Sequence, residues 1–406
     1  MSSSSQQDRH FDSLSIQALN ATRHSKCEPR QSLNPLIQLE LPYGFALKKP
    51  LEGNLIERRP EEILYGAFKG MGDLLCASPV ILAELNVGSK VRLLLFPNPG
   101  LIEFVRLIEF GQNQKNLTIH FLPVGGAAGW LRRFVAFLRD MRRLSPTRIW
   151  ISPHASPQSS SWKIPALLWL VRRFYWPKAK LAGADSERMS RLFDIRVQAD
   201  RSLPRIEREW TAYLAQRSNS RLNGPPPPVH FIPAIANGLR ISPEYDLLVH
   251  PGANARNRSW PATHYAAVIE RMPPEWRIAV LGLPGDVEEL RRVMPHNRNI
   301  HYLTGTLEQS IATLTRARVL LTMDSGNVHF AHFLGLPAVA LFGNTDPKTV
   351  ISRDTSVLPI YQQRFPCQPC ERVDCSQPEV YCMNSIDPAL VAEKLLALIG
   401  KTIAKA

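Results

Sequence analysis

Three loops and one run of cysteines hold most of the residues able to do chemistry. The first loop is Gly66-Ala-Phe-Lys69-Gly70-Met-Gly72-Asp73. Its glycines let backbone approach a ligand and open a helix N-terminus. It is not G-x-G-x-x-G, and no GK[ST] follows, so neither a dinucleotide fingerprint nor a P-loop is present. Asp73 has two readings, a helix cap or a general base within reach of an acceptor proton. The second loop is His250-Pro-Gly-Ala-Asn254-Ala-Arg256-Asn-Arg258-Ser-Trp260-Pro261. Arg256 and Arg258 are the type that neutralises a diphosphate by bidentate, charge-assisted bonds; the alternative is a basic surface loop. The third is Met323-Asp324-Ser325-Gly326-Asn-Val-His329-Phe-Ala-His332. Ser325 and Gly326 begin a helix whose exposed amides can bind phosphate. A carboxylate beside a diphosphate repels it, so Asp324 is expected to hold loop amides or sugar hydroxyls. His329 and His332 share a helix face at i, i+3 without a third ligand, which favours packed core histidines over a metal pair. Phe342-Gly343-Asn-Thr-Asp346-Pro347 adds a further glycine-bearing loop.

The cysteine run is Cys367-x2-Cys370-x4-Cys375-x6-Cys382, four of the six cysteines in the chain. In a reducing compartment this density favours a structural metal over disulfides. Four thiolates suit tetrahedral zinc, with iron second, and reduced or redox-sensitive thiols are the alternative.

These loops need elements to hold them. Ile63–Phe68 reads as a buried strand and Leu74–Leu85 as the helix after the first loop. Lys90–Phe96, Thr118–Leu122 and Thr147–Ile151 read as strands, with Leu101–Phe110 helical. In the second half Asp246–His250, Arg277–Leu281, Ile300–Leu303, Val319–Met323 and Ala338–Phe342 read as strands. They alternate with helices over Pro261–Arg271, Asp286–Val293, Leu307–Arg316 and Asn327–Leu334, and Pro388–Ile399 closes the chain. Such alternation predicts two α/β domains with parallel sheets. Ligands of open parallel sheets bind beyond the strand C-terminal ends, so a cleft between two Rossmann-like domains is the expected site. We divide the chain into an extension over 1–60, an N-terminal domain over 61–222, a linker over 223–232 and a C-terminal domain over 233–406. The linker holds the four-proline run of SRLNGPPPP, which stiffens into an extended spacer.

The 406 residues carry 44 % hydrophobic and 21 % charged side chains, an ordinary globular mixture that excludes a fibrous or wholly disordered chain. The Ser/Gln/Arg-rich start buries little apolar surface and is expected to be partly disordered. It lacks an apolar h-region and includes acids, so no secretory or transit signal is expected. No apolar run approaches the ~20 residues that cross a bilayer, and a cytoplasmic protein is expected. The formal charge of +14 calls for an anionic partner. Neither zinc-finger spacing nor RNP aromatics are present, so nucleic acid is not that partner. Between Trp130 and Lys180 there are eleven Lys and Arg against the single acid Asp140, interleaved with aromatics that include Trp130, Trp150, Trp162, Trp169, Phe174, Tyr175 and Trp176. That pattern suits an anionic interface, the alternative being a solvated helix face over core aromatics.

Taken together, the loops resemble glycosyltransferase family 9, the lipopolysaccharide heptosyltransferase family, from about Glu62 to Leu398. The blocks are Gly72-Asp73; His250-Pro-Gly with Arg258-x-Trp260-Pro261; Met323-Asp324-Ser325-Gly326 with His329 and Ala331; and Ala340-Leu-Phe-Gly343-Asn-Thr-Asp346-Pro347. Cys382-Met383-x-x-Ile386 is similar to a segment of many members. The resemblance implies GT-B architecture, with an acceptor-binding N-terminal and a nucleotide-sugar-binding C-terminal domain. It implies inverting transfer of heptose from an ADP-activated donor, with no cofactor required for catalysis. Asp73 falls at the general base, flanked by an acceptor-side loop of Lys69, Gly70 and Gly72. The implied donor set is Arg258, Asp324, Ser325, Gly326 and His329; Asn254 joins it from the Arg258 loop, and Glu288, with Glu289 the alternative, from the segment after Gly282 and Gly285. The acceptor would be an anionic lipid-linked glycan, with peripheral contact at the cytoplasmic face of the inner membrane. Arg258 stands where many members have lysine, Asn327-Val328 replaces a Pro-Met type pair, and the N-terminal extension is atypical. Another nucleotide sugar, a protein acceptor or a non-catalytic nucleotide-sugar binder are the alternatives.

Overall fold

The computed structural model describes residues 60–403 except 69, 124–128, 153–162, 186–189, 217–225, 227–228, 232–242, 253–254, 353–354 and 373. The extension expected at 1–60 and most of the linker expected at 223–232 therefore lie outside the described residues, as do Lys69 and Asn254.

Strand β1 (Glu62–Phe68) is the apolar run EILYGAF and forms the middle of the first sheet. Its in-register partners are β2 (Lys90–Leu95) on one side and β5 (Arg148–Ile151) on the other, both parallel. With β4 (Leu117–Phe121), β6 (Lys180–Ala184) and β7 (Ile195–Val197) the sheet runs β4-β2-β1-β5-β6-β7. Helices α1 (Met71–Asn86), α2 (Pro99–Leu107), α3 (Trp130–Met141), α4 (Lys163–Tyr175) and α5 (Arg205–Gln216) accompany it. A two-residue strand β3 (Ile108–Glu109) pairs antiparallel with β8 (His230–Phe231) at the end of the linker.

The second sheet repeats the plan. Its strands are β9 (Tyr245–His250), β10 (Ile278–Leu281), β11 (Ile300–Leu303), β12 (Ala317–Met323), β13 (Ala338–Phe342) and β14 (Val357–Tyr361), in the order β11-β10-β9-β12-β13-β14. Helices α6 (Ala262–Glu270), α7 (Pro284–Arg291), α8 (Leu307–Leu314), α9 (Gly326–Leu334), α10 (Tyr381–Asn384) and α11 (Pro388–Ile403) connect and cover it. The ends follow local chemistry. Thr306 and Gln309 form a reciprocal capping box on α8. Ser325 caps α9, which stops at Gly335 in the left-handed region, φ 63°. Both sheets are parallel and six-stranded, so the two facing Rossmann-like domains expected from the alternation are present.

Strand order reverses between β1 and β5 in the first sheet and between β9 and β12 in the second. A crevice opens outside the strand ends at such switch points. The loops that leave β1, β9 and β12 there are the three that carry Asp73, Arg258 and Asp324. The domains also share a core: Leu74 and Phe104 pack in one apolar cluster with Val328 and Phe330. The Phe104 and Phe330 rings meet edge-on at 5.5 Å.

Candidate active site

Gly66 starts the geometry. A Cβ there would sit 2.2 Å from the Leu94 carbonyl oxygen, so only glycine lets β1 run this close to β2, and the register shifts between Gly66 and Phe68. The chain then turns into α1, capped by Gly70 backbone rather than by a side chain, which puts Asp73 in the first helical turn. Asp73 is not the cap residue. Its carboxylate gains instead from the helix N-terminus and turns Oδ2 back over Gly70, 3.4 Å from where a Cβ would lie. Asp73 Oδ1 is 3.2 Å from Nη1 of Arg205, the first residue of α5, and both side chains are about one-quarter exposed.

Beneath this pair lies a buried acid. Glu209, one turn further along α5, accepts from Tyr65 Oη, from Trp150 Nε1 at 3.3 Å and from Ser152 Oγ at 2.9 Å. Tyr65 and Trp150 are register partners on β1 and β5, so Glu209 ties α5 to the switch point. Desolvation pushes its carboxyl up to about 7, against the pull of its three donors.

On the opposite wall, Arg258 Nε is 3.3 Å from Asp324 Oδ2, and Arg258 Nη1 donates to the Asp324 carbonyl at 3.3 Å. The Asp324 side chain is 5 % exposed and that of Arg258 27 %. Asp324 therefore holds an arginine, where the sequence predicted loop amides or sugar hydroxyls. Ser325 Oγ accepts from Asn327 N at 3.3 Å, and Gly326 opens α9.

His329 does not line an open donor surface. It is 3 % exposed, with Nδ1 3.5 Å from Cys76 Sγ on α1, in the contact between the two domains. Burial, with Arg205 and His332 adding to it, lowers it to about 3, so the ring is neutral and offers a diphosphate no charge. Gly72 serves the same contact: a Cβ there would lie 3.1 Å from His329 Cδ2. His250 is also neutral, lowered to about 4 by burial. Glu288 lies on the exposed side of α7 and pairs with Arg291 and Arg292 at 3.8 and 3.5 Å. The α7 acid that meets the second loop is Asp286, whose Oδ2 is 3.0 Å from the position a Cβ on Gly252 would take.

The cysteine segment straps these loops down. Asn257 and Asn344 side chains both donate to the Arg372 carbonyl, at 2.6 and 3.0 Å, and Gln368 Nε2 donates to the Gly343 carbonyl at 2.7 Å. Cys367, Cys370, Cys375 and Cys382 are free thiols. They lie close enough that the other three help raise the Cys382 thiol, after burial. Among the described residues no group of three or more His, Cys, Asp or Glu side chains forms a cluster that could hold a metal ion. Cys382 is buried against Gly343 while Cys367 is exposed, so the four thiols share a region without converging on one point.

Arg205, Glu209 and Asp286 escaped the sequence reading. Ile206, Trp210 and Tyr213 are all buried on α5 at helical spacing. An arginine opening such a helix opposes its dipole, which was the available sign of a nearby anion.

The match to known families falls on this arrangement. Residues 188–381 fit the profile of glycosyltransferase family 9 (heptosyltransferase). That family region holds Arg205, Glu209, Arg258 and Asp324, ends before Cys382 and does not reach Asp73. A lipopolysaccharide heptosyltransferase 1 of Pseudomonas aeruginosa is 26 % identical over 172 residues, 38 % of this chain and 48 % of that protein. The chain thus spans about half the length of this curated relative. Two solved structures share the two-domain GT-B fold of these family 9 enzymes. The E. coli ADP-heptose lipopolysaccharide heptosyltransferase II has a TM-score of 0.59 at 16 % identity, covering 84 % of this chain and 99 % of that one. The E. coli heptosyltransferase WaaC with ADP has a TM-score of 0.56 at 17 % identity, covering 85 % and 99 %.

Proposed function

We propose that the chain is an inverting glycosyltransferase that moves a heptose or related sugar from an ADP-activated donor to a lipopolysaccharide-type glycan. The observation that carries this reading is the placement of a reachable carboxylate, Asp73, and an arginine, Arg258, on opposite walls at the switch points of two facing sheets. The acceptor hydroxyl oxygen attacks the anomeric carbon as its proton passes to the Asp73 carboxylate. The bond from the anomeric carbon to the diphosphate oxygen breaks, and that oxygen keeps the electron pair. Arg258 and the amides that open α9 stabilise the charge that develops there. Asp324 keeps Arg258 in place. WaaC, which shares the fold, was solved with ADP, and this supports an adenine nucleotide as donor carrier.

A panel of nucleotide sugars tested by thermal shift decides the donor class. ADP-sugars should raise the melting temperature at concentrations where UDP- and GDP-sugars do not, since a ligand that binds only the folded state stabilises it in proportion to occupancy. A rise with UDP-sugars alone would replace the ADP reading.

The acceptor side fits a lipid-linked partner. Trp150 and Trp176, which the sequence grouped with the basic window, belong to the core, and Trp162 lies outside the described residues. Trp130, Leu131 and Val135 of α3 and Leu170 and Phe174 of α4 are exposed. Arg132 and Arg139 of α3, Arg142 just after it, and Lys163 and Arg173 of α4 are exposed as well. Exposed apolar side chains and cations on the same helices suit the surface of an anionic bilayer, which we take to be the cytoplasmic face of the inner membrane. Among the described residues no helix is long and apolar enough to cross a membrane. Sedimentation should show more binding to vesicles containing phosphatidylglycerol than to phosphatidylcholine alone, with Leu170→Ser/Phe174→Ser weaker on both. Equal binding to the two vesicles would remove the membrane from this reading.

A further inference from the structure

We infer that Arg205 is the positioning residue for Asp73, holding Oδ1 so that the carboxylate stays ionised and keeps Oδ2 on the loop side where an acceptor would approach. The inference rests on Asp73 as the base of the proposed transfer.

Arg205 occupies a costly position. It opens α5, where the helix dipole disfavours a cation. Burial by itself lowers its guanidinium, yet Asp73 and then Asp324, with smaller help from Cys76 and Glu371, hold it above its ordinary value. These acids come from α1, the end of β12 and the cysteine segment, three separate stretches of chain. One guanidinium thus gathers carboxylates from both walls of the cleft, but its hydrogen bond goes to Asp73. A planar fork bonding one carboxylate oxygen fixes the direction of the other. Oδ2 lies on the Gly70 side, 3.4 Å from where a Cβ on that residue would be. An adjacent arginine also favours the charged form of a carboxylate, typically lowering its pKa by 1–3 units.

Several described groups near Asp73 work against its ionisation or carry no charge. Glu207 and Glu209 lie on the same helix as Arg205, and Asp324 stands across the cleft. Cys76 on α1 is a thiol raised by burial far above neutrality, and His329 from α9 is neutral. Glu209 titrates near 7 and repels Asp73 once ionised. Arg205, bonded to Asp73 at 3.2 Å, offsets these acids.

The test is the pH profile of kcat/KM for sugar transfer, measured in a Glu209→Gln background so that Glu209 cannot supply the acid limb. With Arg205→Gln, Asp73 must hold its proton to higher pH, so the acid limb should move up by about 1 unit, with much of the rate recovered on the alkaline side. Arg205→Lys keeps the charge and should leave the limb in place while lowering kcat at every pH through lost geometry. Matching melting curves establish that the variants are folded. A limb that stays put in Arg205→Gln, with the donor KM raised, would overturn the inference and make Arg205 a donor ligand. Asp73→Asn separates the two readings. If it is inactive and the limb does not move in Arg205→Gln, this inference alone falls; if it transfers sugar at the wild-type rate, the base assignment falls and takes this inference with it.

Discussion

Two aspartate–arginine pairs lie at the switch points of the two sheets, and they differ in what they bury. In the N-terminal domain Asp73 and Arg205 are 27 % and 28 % exposed, so the carboxylate can be reached. In the C-terminal domain Asp324 is 5 % exposed and Arg258 27 %, so the carboxylate is walled in and the cation faces outward. The first wall thus presents a carboxylate beside its arginine, and the second presents the cation alone. In the proposed transfer, acceptor deprotonation needs that carboxylate and the departing diphosphate needs that cation. Had the first pair also walled in its aspartate, the proposed transfer would lack its base.

The largest effect should come from the exposed carboxylate. Asp73→Asn keeps shape and removes the base, so kcat should fall by about 10²–10⁴, while the melting shift given by an ADP-sugar persists. A kcat within a few-fold of wild type would break the contrast at its N-terminal member. The outward arginine comes next. Charge-assisted bonds contribute about 1.5–3 kcal/mol, so Arg258→Ala should raise the donor KM by about 10- to 100-fold and leave the acceptor KM nearly unchanged. Asp324→Asn should act through Arg258, raising the donor KM less than Arg258→Ala does. If Asp324→Asn instead cut kcat as deeply as Asp73→Asn, the two carboxylates would be playing the same part and the comparison would fail.

How much of this was written in the sequence follows from how local each feature is. Strands such as Ala338–Phe342 and Ile300–Leu303, apolar and bounded by turn residues, appear within a residue of where their pattern places them. The order of the loops put Asp73, Arg258 and Asp324 at the strand ends, because a parallel sheet with short crossovers leaves those loops nowhere else to go. Which partner each residue takes was not legible. Arg205 is 132 positions from Asp73 and Asp324 is 66 from Arg258, and only the closing of the two sheets brings them together. The i, i+3 spacing of His329 and His332 pointed to packed core histidines, and His329 is buried on Cys76; that its cover comes from α1 of the other domain was not legible. Residues 152–222 carry a weak pattern, because the strands KLAGA and IRV are short and arginines interrupt the apolar spacing of the two helices. That is where α4, α5, β6 and β7 lie.

The smallest effect tests how the two walls are held at their spacing. Gly72 lies on α1 beside Asp73, and its missing side chain lets α1 approach α9 of the other domain, where a Cβ would come within 3.1 Å of His329 Cδ2. His329 is packed on Cys76 and cannot swing away without breaking that contact. Gly72→Ala must therefore move α1 from α9 by a few tenths of an ångström. Helix propensity favours alanine by up to about 1 kcal/mol, and overpacking opposes it by about 1–3 kcal/mol. The net should be a melting temperature lowered by no more than a few degrees. The displacement acts on both pairs at once, so kcat and donor KM should worsen together, unlike in Asp73→Asn or Arg258→Ala. A Gly72→Ala enzyme with unchanged kinetics and a raised melting temperature would mean that the spacing of the walls is set elsewhere, and that each pair works without the other's position mattering.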